Sequence, residues 1–413
     1  MKSTFSRVLR VIKERGLAQT VQSTINRSLV KYGYTKSPKK HIQQTINLYK
    51  QIAAKKAISD YKGIAVVTSA LEFEEVYNQR TINLAKDFAH KGYLVLYVVW
   101  QWEPAEKLQK AYQNVYENTY EIPLYDFYHT IDHLNIFEQA KEKLYFVTFP
   151  APIFVSICDK LRYDMIYDMM DEWEEFHQTG QAPWYVKESE EQCIVRASHV
   201  FAVSKPLGTK FAHLNKTIHV IGNGYNPALS GEKNIALKEA LPDGKIHIGY
   251  FGHMTDSWFD WDLMFQLAKN EQFVLHFIGY GAPQHILDKM KDYENMHYYG
   301  KMHPSELQEQ VKHWHIGMIP FKPSKLSEAV DPIKIYEYLY FGLPTVTSGI
   351  PHLNDYPFVT HCDTATAFEQ TIVDYYEKRI HNQLNVEELE QFLHDTTWDE
   401  RFATMERLIL EKN

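Results

Sequence analysis

Cysteine is scarce in this 413-residue protein: Cys158, Cys193 and Cys362 are the only three, and they stand far apart. That excludes a disulfide framework or a zinc knuckle and suits a reducing compartment. No apolar run approaches the roughly 20 residues that a membrane span needs, and Met1–Gly16 carries charges where a secretory leader has its apolar core. The expectation is a cytoplasmic protein. No G-x-G-x-x-G follows the first predicted strand, which removes the best evidence for a nicotinamide or flavin cofactor. Internal repeats and low-complexity tracts are also missing, and no D-x-D stands before a strand end in the middle of the sequence. His313 and His315 form an H-x-H before a buried-looking strand, where imidazole is more often structural than metal-bound. Neither metal nor organic cofactor is expected.

What is present begins with an uneven distribution of charge. Residues 1–62 hold 14 Lys and Arg against Glu14 and Asp60, a net of +12, which leaves −20 on the remainder of a protein whose formal total is −8. Within this basic arm Phe5, Val8, Leu9 and Ile12 mark one face of a helix, with Arg7, Arg10, Lys13 and Arg15 around it. Such an arm suits an anionic membrane surface, with peripheral attachment on the inner face of the plasma membrane; the bland reading is a solvated arm or one packed on the acidic body. Nucleic acid is not an expected partner, because aromatic interleaving is sparse and no nucleic-acid motif appears.

After Tyr61 strands and helices alternate in a sequence that is 45% hydrophobic and 14% aromatic, a globular composition. Strands are predicted over 64–68, 94–99, 144–148 and 165–168, with a helix over 76–90 between the first two and another over 153–161. Asp168 and Asp171 fall at the carboxyl end of a strand, where open α/β sheets bind ligands, although either acid could simply cap the next helix. A second α/β series follows, with strands over 200–203, 218–221, 245–251, 273–278 and 315–320. Two of these run into glycine turns, Gly252-His253 and Gly279-Tyr280-Gly281, which let a ligand approach backbone closely. The expected architecture is α/β, two doubly wound Rossmann-like domains facing a cleft, with the basic helical arm in front. Boundaries fall at 1–62 for the arm, 63–195 and 196–385 for the two domains, and 386–413 for a terminal helix returning to the first domain.

The stretch Glu328–Thr347 concentrates the chemistry. Pro332 suits a first helical turn, Asp331 can cap just before it, Gly342 stops the helix and Thr345–Thr347 follows as a short buried strand. A helix N-terminus with Lys334 in its first turn, and Lys322 and Lys325 upstream, suits a phosphate. Glu337, three residues on, can accept hydrogen bonds from a ribose diol while Lys334 faces a diphosphate. The plain alternative is an amphipathic helix with a surface ion pair.

The order of motifs resembles the donor-binding half of retaining GT-B glycosyltransferases. It rests on V-S at Val203, I-G-N-G at Ile221–Gly224, Y-F-G at Tyr250–Gly252, F-I-G at Phe277–Gly279, I-P-F at Ile319–Phe321 and P-I-K-I-Y-E-Y-L-Y-F-G-L-P at Pro332–Pro344. It is strong over about 195–350, weaker over 63–194 and absent from the arm. The resemblance implies transfer of a hexose or deoxyhexose from a nucleotide-diphosphate sugar to a glycan or lipid-linked acceptor of the cell-surface polysaccharide type. It places Gly252, His253, Gly279, Lys322, Asp331, Ile333, Lys334 and Glu337 around the donor, with Lys334 aiding departure of the diphosphate and Asp171 orienting the acceptor hydroxyl. Two departures stand out. The family often has E-x7-E, but eight residues before Glu337 stands Ala329, with Glu328 and Asp331 as displaced acids; and Met254–Leu263 has none of the Arg or Lys that often follows the glycine turn. A nucleotide-sugar epimerase of the same fold and a non-catalytic partner subunit are therefore kept as alternatives.

Overall fold

The computed structural model describes residues 37–73, 78–100, 111–214, 216–227, 241–380 and 385–411. The amphipathic face of the arm, Phe5 to Ile12, and the start of the helix expected from Val76 lie outside the described residues. The protein forms two compact units, one of Met1–Met169, Gly180–Phe201 and Phe211–Ile218, the other of Met170–Thr179, Ala202–Lys210 and His219–Asn413. The terminal helix Trp398–Leu410 groups with the second unit.

Eight strands make the first sheet: β1 (Gly63–Ser69), β2 (Leu94–Val99), β3 (Gln113–Tyr116), β4 (Thr119–Pro123), β5 (Glu142–Val147), β6 (Asp164–Met169), β7 (His199–Ala202) and β8 (Ile218–Val220), in the order β3-β4-β2-β1-β5-β6-β7-β8. Because β1, β2, β4, β5 and β6 pair in parallel, their connections must cross over the sheet, and the helices that do so cover it. That is why β1 and β2 are buried at every position and read as unbroken apolar runs. The β3–β4 hairpin is antiparallel, turning through Asn118 at φ 52°. Thr45, Leu48, Tyr49 and Ile52 recur on one face of the Lys39–Lys55 helix and are buried, and the Tyr49 hydroxyl lies 3.0 Å from that of Thr130. The last third of the basic segment thus packs within the first unit.

The second sheet consists of β9 (Ile246–His253), β10 (Phe273–Tyr280), β11 (Met296–Gly300), β12 (Ile316–Pro320), β13 (Thr345–Ser348) and β14 (Val359–His361). Its order, β11-β10-β9-β12-β13-β14, is parallel throughout and reverses direction between β9 and β12. This is the 3-2-1-4-5-6 winding of nucleotide-binding sheets, which places the ligand crevice at the carboxyl ends of the two central strands. Close packing holds that centre. A Cβ at Gly249 would sit 2.0 Å from the Trp314 ring, so the indole lies directly on β9. Tyr338 accepts the Phe251 N–H at 3.0 Å, tying the Lys334–Tyr340 helix to β9.

Candidate functional site

At the switch point of the second sheet the strands end in glycines. Gly252 has φ 133° and Gly279 φ 137°, conformations that L side chains rarely adopt. A Cβ on Gly279 would lie 1.9 Å from the Gly252 carbonyl oxygen, so the two turns can adjoin only because both lack side chains. β9 runs further than its apolar pattern suggests, through Gly252 and His253 in register with Gly279 and Tyr280. The His253 ring stacks on Tyr280 at 4.7 Å and meets the edge of Trp258 at 5.0 Å. The His253 carbonyl accepts the Tyr250 hydroxyl at 2.9 Å.

Lys334 comes to the same place from a distant part of the sequence. Its Nζ is 3.5 Å from the Cβ position of Gly252 and lies 5.1 and 5.4 Å from the ring centroids of Tyr250 and Phe321. Burial lowers its pKa to about 8, an effect that the neighbouring Glu337 carboxylate partly offsets. A desolvated ammonium beside a glycine turn is well placed for an anion, since displaced water costs it little further. Lys301 adds a second cation, 4.3 Å over the Tyr280 ring. Desolvation, then Lys334 and Lys301, push the His253 pKa down. Lys301 has no strong sequence signal because β11 has an irregular, largely exposed pattern; the Gly300-Lys301 step after it is the one cue available.

The other expected residues divide. Ile333 is the residue from which the Lys334–Tyr340 helix starts, and Glu337 lies in that helix's first turn. The helix begins later than Pro332, and Asp331 does not cap it. Instead the buried Asp331 carboxylate accepts the Asn223 N–H at 2.5 Å, the Tyr336 hydroxyl at 2.8 Å and the Tyr356 hydroxyl at 3.1 Å. It thereby fixes the Ile221–Gly224 turn against the start of the helix. Lys322 gives its amine to the Asp256 carbonyl at 2.8 Å, bracing the loop after β9, and Lys325, itself exposed, opens a short helical turn capped by Ser324. Glu328 is exposed. His315 accepts the His247 N–H at 2.9 Å, a structural bond. Among the described residues no group of three or more His, Cys, Asp or Glu is arranged to hold a metal ion.

The acids after β6 also differ from one another. Asp168 is buried in a two-point ion pair with Arg80, Nε to Oδ2 at 2.7 Å and Nη2 to Oδ1 at 2.9 Å, which explains its presence without a ligand. Asp171 is partly exposed at the residue before Glu172, and desolvation together with the Glu172 charge raises its pKa to about 7. Glu172 is held by Lys210.

A doubly wound sheet with glycine turns and a desolvated lysine at its switch point is the arrangement at which α/β folds commonly take nucleotides or phosphates. No family model matches the sequence. It is 23% identical over 175 residues, 40% of its length, to a Bacillus subtilis (strain 168) protein described as a putative teichuronic acid biosynthesis glycosyltransferase, TuaH, and covers 44% of that relative. Solved structures align over much more. Sucrose-phosphate synthase from Thermosynechococcus elongatus gives a TM-score of 0.62 at 12% identity, over 84% of this protein and 98% of that one. The lipopolysaccharide outer core galactosyltransferase WaaB in its apo form gives 0.59 at 13%, over 85% and 99%. Anabaena HepE, in complex with UDP and glucose, gives 0.56 at 13%, over 84% and 99%. The protein has the GT-B fold of the glycosyltransferases.

Proposed function

We propose that this protein is a glycosyltransferase that moves a hexose or deoxyhexose from a nucleotide-diphosphate sugar to a glycan or lipid-linked acceptor, with retention and without a metal ion. The observation that carries the reading is the meeting of Gly252, Gly279 and the desolvated Lys334 at the switch point of the second sheet. Glycine turns let the diphosphate reach backbone N–H groups, and the ammonium stabilises the charge that develops on the leaving group. Glu337 takes the ribose hydroxyls. Asp171, with its raised pKa, orients the acceptor hydroxyl. The solved neighbours with UDP and glucose and the biosynthetic relative agree with this assignment of ligand class. The basic arm holds the enzyme on the cytoplasmic face of the plasma membrane, and no helix among the described residues is long and apolar enough to cross a membrane itself.

One observation favours a second reading, a nucleotide-sugar-binding subunit without activity: Ala329 stands where the related pattern has an acid, and Asp331 spends its carboxylate on Asn223, Tyr336 and Tyr356. Thermal stabilisation by a panel of nucleotide sugars, followed by product detection with the best of them, tests both. Stabilisation by none would remove the donor site, and stabilisation without transfer to any glycan or lipid-linked acceptor would leave the binding subunit.

A further inference from the structure

We propose that His253 is a proton-gated element of the donor site: its imidazole takes up a proton as the diphosphate of a nucleotide sugar arrives, so donor capture is coupled to pH. The inference rests on the donor reading above and adds a property that this reading does not require.

Geometry isolates the imidazole among cations. It caps β9 with its ring on Tyr280, over which the Lys301 ammonium lies at 4.3 Å, and the residue before it, Gly252, lies against Lys334. The remaining faces are Trp258 and the Gly281 backbone, where a Cβ would come within 2.2 Å of the ring. Among the described residues neither ring nitrogen has a hydrogen-bond partner, and the one carboxylate acting on this group of charges, Glu337, acts on Lys334. Burial first, then Lys334 and Lys301, therefore oppose protonation of the empty site. A diphosphate diester brings two negative charges to the same point and reverses that balance, because an opposite charge within about 4–6 Å favours the charged imidazole. The absence of Arg and Lys from Met254–Leu263 gives the exchange its purpose. Where a related protein has a permanent cation after the glycine turn, this one has a group that becomes a cation on demand.

The test is titration calorimetry of the full-length protein with UDP-glucose, GDP-mannose and ADP-glucose, whose diphosphate diesters do not titrate near neutrality, in buffers of different ionisation heat. The expected result is net proton uptake between about pH 6 and 7.5, with affinity rising by up to about tenfold per pH unit as pH falls. His253→Gln, with an unchanged melting temperature, should bind with a flat pH profile over that range. Lys301→Gln should bind more weakly and move the uptake to higher pH, since one opposing cation is gone. Binding without proton uptake, or uptake that persists in His253→Gln, overturns the inference and leaves the donor site standing. No binding of any of the three at any pH overturns both.

Discussion

Lys334→Met should make the protein more stable and, by the same change, unable to hold its donor. The amine is desolvated and makes no ion pair among the described residues, and its pKa falls from 10.5 to about 8. A displacement of that size corresponds to at most about 3 kcal/mol between protonation states, and partial access to solvent reduces it to about 1–2 kcal/mol. Because the folded amine releases its proton at lower pH than the unfolded one, the unfolded state binds more protons between about pH 8 and 10.5, and stability rises with pH across that window. Below it the penalty is fully present. Methionine keeps the unbranched stem and offers sulfur to the Tyr250 and Phe321 rings, so packing is retained while the penalty is removed. Urea unfolding at pH 7 and at pH 10 should show the variant about 1–2 kcal/mol more stable at pH 7 and without the wild-type rise. Nucleotide-sugar affinity should fall by about 1.5–3 kcal/mol through loss of a charge-assisted bond. A variant no more stable than wild type, with an unaltered pH slope, would refute the claim that this lysine is held under strain for an anion.

Gly279→Ala should cost about 1–3 kcal/mol by overpacking and weaken donor binding, because its methyl would meet the Gly252 carbonyl at 1.9 Å; unfolding midpoints and calorimetry check both. Asp168→Asn should lose about 3–5 kcal/mol by breaking the buried ion pair with Arg80, and adding Arg80→Met should recover part of that, as urea curves of the variants would show. Asp171→Asn should spare donor affinity and lower transfer; in the wild type the pKa near 7 means transfer rises as pH passes upward through about 7, and EDTA leaves it unchanged, all read from initial rates. A truncated protein starting at Ser37 should lose the co-sedimentation with anionic liposomes that the full-length protein shows at low salt, at up to about 1 kcal/mol per Lys or Arg; equal sedimentation would end the membrane assignment.

Legibility followed the physics of each signal. β1, β2, β9, β10 and β13 were readable because parallel strands buried on both faces are continuous apolar runs, and their glycine stops were readable because a ligand turn needs them. β3, β4 and β11 were not: the first two form a short hairpin whose turn uses Asn118 rather than an Asn-Gly pair, and β11 exposes His297, Tyr298 and Tyr299, so no alternation reports it. In the site, Lys334 and Gly252 were visible locally, whereas the assignment of Asp331 to Asn223 depends on a partner 108 residues away. No window of sequence contains that bond. Asp168 was ambiguous for the same reason, since Arg80 is 88 residues distant.

The two departures from the related pattern are best understood together. Ala329, at the end of the Lys325–Ala329 helix, leaves one acid fewer than the E-x7-E pattern ahead of the Lys334–Tyr340 helix, and Met254–Leu263, without Arg or Lys, leaves fewer cations after the Gly252 turn. Either change alone would unbalance a desolvated site by a full charge, which low-dielectric surroundings penalise heavily. Made together they cancel, and the site keeps Lys334 against Glu337 with His253 as an adjustable third charge. A protein losing function has no reason to lose charges in compensating pairs, nor to preserve a 1.9 Å constraint at Gly279 or hold a lysine desolvated beside Gly252. Retained cost without retained use is not a stable outcome of mutation, because relief of about 1–2 kcal/mol is a single substitution away at Lys334. These retained features support the proposed active transferase over an inert subunit.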